Sequence, residues 1–385
     1  MRKLNALAPV ASLLVLAACG EDHGGALAPT NTVPRDQAAM HAHQAMDTVA
    51  AGLNNPRGLK FGPDGDLYVA EGGTGGSNST VGQCLQVPEV GPYTGGYTSR
   101  ISKIDRHWKR TTVVDNLPSS STTPQSGGLT SGVADVAFID NTLYAILAGA
   151  GCSHGVPDVP NGVIRVGHDG TWRMIADLSA FVAANPTAHP DPDDFEPDGT
   201  WYSMVARDGY LFATEPNHQE VDRISPRTGR VERIVDVSVA HDGSTGGWIG
   251  PTALVEGRDG LIFGTLGPFP VAPGTESIYH LRLNGDYRAL AGGFSTVLGL
   301  AYDSHRDLLY VLESLTAAGF PGPQDIGAGM VVRLDRFGTV STVTTGLSFP
   351  SAMTLGPDGN LYVSNFGFGA PPGAGQVLRI NLAGD

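Results

Sequence analysis

A nineteen-residue pattern occurs near both ends of the chain. Leu53–Glu71 reads LNNPRGLKFGPDGDLYVAE and Leu347–Asn365 reads LSFPSAMTLGPDGNLYVSN, and with the lead-ins from Asp47 and Ser341 the two align without a gap. Each copy is a β-hairpin in sequence form. Pro56 to Phe61 is a first strand, Pro63-Asp64-Gly65 the turn, and Leu67 to Ala70 a second strand. Asp-Gly between two apolar runs supplies the positive φ that a tight hairpin turn requires. A unit this small cannot bury its own apolar face, so repeats at both ends imply an array that stacks or closes on itself.

The segments between extend the hairpin into a recurring four-strand meander. The first unit adds Arg100 to Ile104 and Thr111 to Leu117. The second runs from Gly132 through Leu143–Ile146 and Gly162–Val166 to Trp172–Leu178. The third takes Trp201–Ala206, Leu211–Thr214, Glu220–Ile224 and Val231–Val237, and the fourth Pro251–Val255, Leu261–Gly264, Ser277–Leu281 and Tyr287–Ala291. The fifth takes Leu298–Tyr302, Leu309–Leu312, Met330–Leu334 and Val340–Thr344, and the sixth Ser351–Leu355, Leu361–Ser364 and Gln376–Ile380. The sixth lacks an outer strand, while a spare strand, Thr48–Ala51, precedes the first. A closed ring explains both facts, because closure removes the free sheet edges that template aggregation. The expected fold is all-β: a six-bladed propeller over residues 47–385, with the N-terminal strand completing the last blade. The 53 glycines and the low charged fraction of 16% suit short strands and tight turns over long helices.

The N-terminus carries an address. Arg2 and Lys3 precede an apolar run, Leu4–Leu16, too short to span a bilayer, and the run ends in Leu16-Ala17-Ala18-Cys19-Gly20. This resembles a bacterial lipobox, which implies a signal peptide over 1–18, lipidation of Cys19, a tether over 19–46 and attachment to a membrane in the cell envelope. Without Arg2 and Lys3 the chain holds 22 basic against 38 acidic residues, a net charge of −16, and nucleic acid is excluded as a partner because it requires a basic surface. Two cysteines remain, Cys84 and Cys152. They fall in insertions that follow the second strands of blades one and two and leave the same face, so a Cys84–Cys152 disulfide is expected.

Candidate chemistry lies on the rim opposite the Asp-Gly turns. The residues just after the second strands are Glu71, Leu147, Glu215, Thr265, Glu313 and Asn365, with Arg57, Asn217 and His218 near them. In one reading Glu71, Glu215, Glu313 and Asn365 form an acidic funnel that holds a hard cation such as calcium, which prefers carboxylate and amide oxygens. In the other they are rim ion pairs, with Arg57 opposite Glu71 if Phe61 faces Leu67. Asp191–Gly199 (DPDDFEPDG) lacks the spacing of a calcium loop and reads as a linker, and His41 and His43 read as solvated tether residues. Trp201, Tyr202, Trp248 and Phe269 are aromatics that either stack a planar ligand or pack blades. No GxSxG elbow occurs, so no nucleophile is assigned.

The segments LNNPRGLKFGPDGDLYVAEGG (from Leu53), PDDFEPDGTWYSMVA (from Pro192), FATEPNHQEVDRISPRTGRV (from Phe212) and GPTAL (from Gly250) resemble the ScyD/ScyE family of bacterial propeller proteins. More distantly the chain is similar to the NHL and gluconolactonase group. The resemblance implies an exported six-bladed propeller and no particular activity. Two functions follow as expectations. One is a lipid-anchored binding or scaffold module whose funnel and insertion loops engage a small molecule or an envelope protein. The alternative is a calcium-dependent hydrolase or lyase of the gluconolactonase or virginiamycin-lyase type. In it Glu71, Glu215, Glu313 and Asn365 would be ligands, and His218 or Arg57 an acid/base or anion partner.

Overall fold

A computed structural model describes residues 45–382 except 89, 125–127, 191, 193–194 and 241–248. Cys19, His41, His43, Trp248 and part of the DPDDFEPDG run therefore lie outside the described residues. Six antiparallel sheets follow one another along the chain, and their innermost strands neighbour in sequence around a ring, the last beside the first. Blade one comprises Pro56–Phe61, Leu67–Glu71, Thr94–Ile104 and Arg110–Ser121, with the short Thr130–Ser131 at its edge. The innermost strands of blades two to six are Val133–Ile139, Met204–Arg207, Gly250–Glu256, Val297–Asp303 and Ala352–Leu355. The expected six-bladed propeller is the fold.

Closure follows the sequence expectation too. The strand Met46–Leu53 pairs antiparallel with Gly375–Ile380, Met46 opposite Ile380 and Leu53 opposite Gly375, and so becomes the outer strand of blade six. Ser351 and Ser364 of blade six then donate to the carbonyls of Pro56 and Arg57 in blade one, both at 2.6 Å. The two copies of the repeat, far apart in sequence, are thus neighbours in space. Apolar cores lie between successive blades and are distributed around the whole ring.

The turn chemistry is identical in the two copies. Gly65 and Gly359 sit at φ +80° and +76°, and the hydroxyls of Tyr68 and Tyr362 donate to Asp64 and Asp358 at 2.8 and 3.0 Å. The helix Leu178–Ala184 after blade two was not anticipated; Asp177 caps it by accepting the Ala180 N–H at 2.8 Å. It begins where the expected outer strand still ran through Leu178.

The insertions of blades one and two are joined by the Cys84–Cys152 disulfide, with Cα atoms 6.3 Å apart. Asn78 adds a side-chain bond to Gly155 O at 2.6 Å. A disulfide of this kind indicates an oxidising, exported compartment. Among the described residues no helix is long and apolar enough to cross a membrane.

Candidate functional site

The structure does not bring the four rim residues together. Glu71, Glu215, Glu313 and Asn365 are each turned into their own blade, where an oxygen accepts a backbone N–H from the segment leading into that blade. The donors are Asn54 (2.8 Å), Thr200 (2.6 Å), Ser295 (2.8 Å) and Ser348 (2.8 Å). All four side chains are buried. Among the described residues no three His, Cys, Asp or Glu side chains converge as a metal-holding group. The donor set read as a calcium site does not fit a cation, because its oxygens are spent on N–H groups of separate blades.

Arg57 is not opposite Glu71 either. The hairpin register does place Phe61 against Leu67, but an irregularity between Pro56 and Leu59 sets Pro56 opposite Glu71. Glu71 pairs instead with Arg100 at 3.3 Å and accepts from the Ser102 hydroxyl. Asn217 and His218 form a turn about Glu215, both giving it backbone N–H bonds. The His218 ring donates from Nε2 to the Glu196 carbonyl at 2.7 Å and lies against Phe195. Burial pushes Glu215 up to about 8 against the pull of these N–H donors. Burial likewise raises Asp222 and, to about 7, Glu220, which Arg233 partly offsets.

None of these four rim residues lines the channel. Arg57 and Lys60 of blade one, Ser131 and Asp135 near blade two, and Tyr202 and Ser203 at blade three face a cavity of about 50 Å³. Ala253, Leu298, Leu300 and Met353 close its other side. Asp135 is buried, and its carboxylate accepts from Val136 N–H (2.8 Å), Met204 N–H (2.8 Å) and Ser203 Oγ (3.0 Å), joining blades two and three. Burial raises its pKa, opposed chiefly by the charge of Lys60. Gly58 permits this arrangement, since a Cβ there would stand 1.9 Å from Asp135 Oδ1. Arg57 donates to the Thr130 carbonyl, and Tyr202 reaches across the channel to donate to Ser351 O of blade six at 2.6 Å. Sequence reasoning passed over Lys60 and Asp135. The signal available was a charge inside the innermost strand of a blade, where neighbouring positions are small or apolar.

Above the channel the insertion-bearing face has two unlike halves. On one, His154 is completely buried, with Nδ1 2.8 Å from Ser120 Oγ and Nε2 3.0 Å from Glu196 Oε2, and the Tyr93 ring lies over it. On the other, Val271, Leu298, Leu315, Phe349 and Phe368 form an apolar cluster against which Tyr202 packs. Phe269 is exposed there, whereas Trp201 is wholly buried, its indole N–H donating to Asp222 Oδ2 at 3.1 Å. Trp201 is therefore a blade-packing residue.

No family model and no curated protein matches this chain. Solved structures do match over nearly its whole length. A putative oxidoreductase (glucose dehydrogenase) from Thermus thermophilus shares 18% identity at a TM-score of 0.52, covering 87% of this chain and 99% of that one. The apo form of the soluble aldose sugar dehydrogenase of Escherichia coli shares 12% at 0.52, covering 88% and 99%. A gluconolactonase from Xanthomonas campestris shares 11% at 0.49, covering 93% and 98%. The likeness is one of fold. The resemblance to the ScyD/ScyE family rests on the sequence segments alone.

Proposed function

We propose that the protein is an exported binding propeller of the ScyD/ScyE type, held to a membrane by a lipid on Cys19. It engages a small molecule or an envelope protein through the loops of its insertion-bearing face. One observation carries this reading: the channel holds only about 50 Å³ of free space, so nothing larger than a few non-hydrogen atoms enters it. Ligand sites for drug-sized molecules are several-fold larger, about 300–1,000 Å³. Recognition of anything that size falls to the outer surface, where the disulfide and the Asn78 bond to Gly155 O hold the loops of blades one and two in fixed relation.

Site-specific photocrosslinking of the full chain in its host tests this. Leu85 and Phe320 are exposed on the insertion-bearing face, and Phe337 is exposed in a turn on the opposite rim. A crosslinker at Leu85 or Phe320 is expected to capture one discrete partner that Phe337 does not. Equal capture from both faces, or capture from neither, overturns the face assignment. Loss of acyl labelling and membrane attachment in Cys19→Ser tests the anchor, and attachment that survives overturns it.

A further inference from the structure

We infer that the channel is a binding site for a small monocarboxylate of about acetate size. The space sets the size. A water needs about 10–15 Å³ by this measure, so a cavity of about 50 Å³ holds three to five non-hydrogen atoms.

The charges set the class. Arg57 and Lys60 both face the cavity, and among the described residues neither forms an ion pair. The one carboxylate lining it, Asp135, already accepts three hydrogen bonds from Val136, Ser203 and Met204. Two cations over one committed carboxylate, in a space walled by protein, leave a net positive charge that an anion neutralises. Bonds from Arg57 to the Thr130 carbonyl and to the Tyr202 hydroxyl fix the guanidinium, and the N–H groups left over by these two suit a planar carboxylate.

The opposite wall sets the remainder of the ligand. Ala253, Leu300 and Met353 offer carbon surface and no side-chain donor. A methyl or short alkyl group is at home there. A fully oxygenated anion such as phosphate would leave oxygens unpaired against that wall, at a cost in affinity. The site is independent of the loop-face reading, because it lies inside the ring and takes a ligand far smaller than any that face would engage.

The test uses the full chain and sodium acetate, titrated to about 100 mM at constant ionic strength against sodium chloride. The range suits the weak affinity that about four non-hydrogen atoms provide. Binding is read by saturation-transfer NMR on the acetate methyl and by thermal melting. Saturable acetate binding is expected. It should weaken about tenfold or more in Lys60→Met, and also in Arg57→Lys, which keeps the charge and loses the planar guanidinium. If the folded wild-type chain shows no saturable acetate binding, the site is overturned. If chloride or phosphate competes as well as acetate, or Lys60→Met binds acetate unchanged, the carboxylate assignment is overturned. Should Arg57→Lys fail to fold, the wild-type chain and Lys60→Met still decide.

Discussion

The two copies of the repeat form a comparison inside one molecule. Their shared residues, Leu67 and Leu361, Tyr68 and Tyr362, Asp64 and Asp358, do the same work in both: the leucines are buried and the tyrosines bond the turn aspartates. Where they differ, function has room. Arg57 corresponds to Ser351, Lys60 to Thr354 and Gly58 to Ala352. The first copy carries an irregularity between Pro56 and Leu59, while in the second Ala352–Leu355 pairs regularly with Leu361–Ser364. The identical positions build the hairpin, and the divergent ones supply the charge that the channel contains.

The largest effect that can break this comparison is in the shared core. Leu67→Ala and Leu361→Ala are each expected to lose about 2–5 kcal/mol in urea unfolding, because both leucines are essentially unexposed. A loss in one copy and none in the other would show that the copies do not bear the fold alike. The next effect separates them. Glu71→Ala removes the acceptor for Asn54 N–H and the partner of Arg100, and is expected to cost about 2–3 kcal/mol. Asn365→Ala removes the acceptor for Ser348 N–H without touching an ion pair, at about 1–2 kcal/mol. Equal losses would mean that Arg100 contributes nothing.

A pH-dependent effect extends the comparison to blade three, where Glu215 holds the equivalent place and, among the described residues, forms no ion pair. Its pKa rises from 4.5 to about 8 in the folded chain. Between those values the folded state retains a proton that the unfolded state has released, so stability falls as pH rises through that window. Unfolding free energies measured across it are expected to decline in the wild type and to decline less steeply in Glu215→Gln. An unchanged slope would assign the decline to Glu220 and Asp222.

The fold was legible because its determinants are local. Asp-Gly turns, two-residue periodicity and the spare strand Thr48–Ala51 each state their structure within a few residues. The rim was not, for a reason that no strand pattern contains. Glu71, Glu215, Glu313 and Asn365 end the second strands, one residue inside the expected place, yet each finds an N–H 15 to 18 residues earlier in the segment leading into its blade and turns inward to accept it. Arg57 was misplaced by a single irregularity in the hairpin, which no count of residues from the turn reveals. Asp135 owes its position to Gly58 of the preceding blade, a contact made 77 residues away in sequence.

The clasp has a mechanical consequence. Met46 lies toward the turn rim and Leu53 toward the insertion-bearing face, so the clasp strand runs from one face toward the other. Ladder bonds lie perpendicular to the strands they join. A pull entering through the N-terminus, resisted by a partner held on the far face, therefore loads these bonds side by side in shear instead of peeling them one at a time. The strand that closes the ring is set to bear tension along its own length.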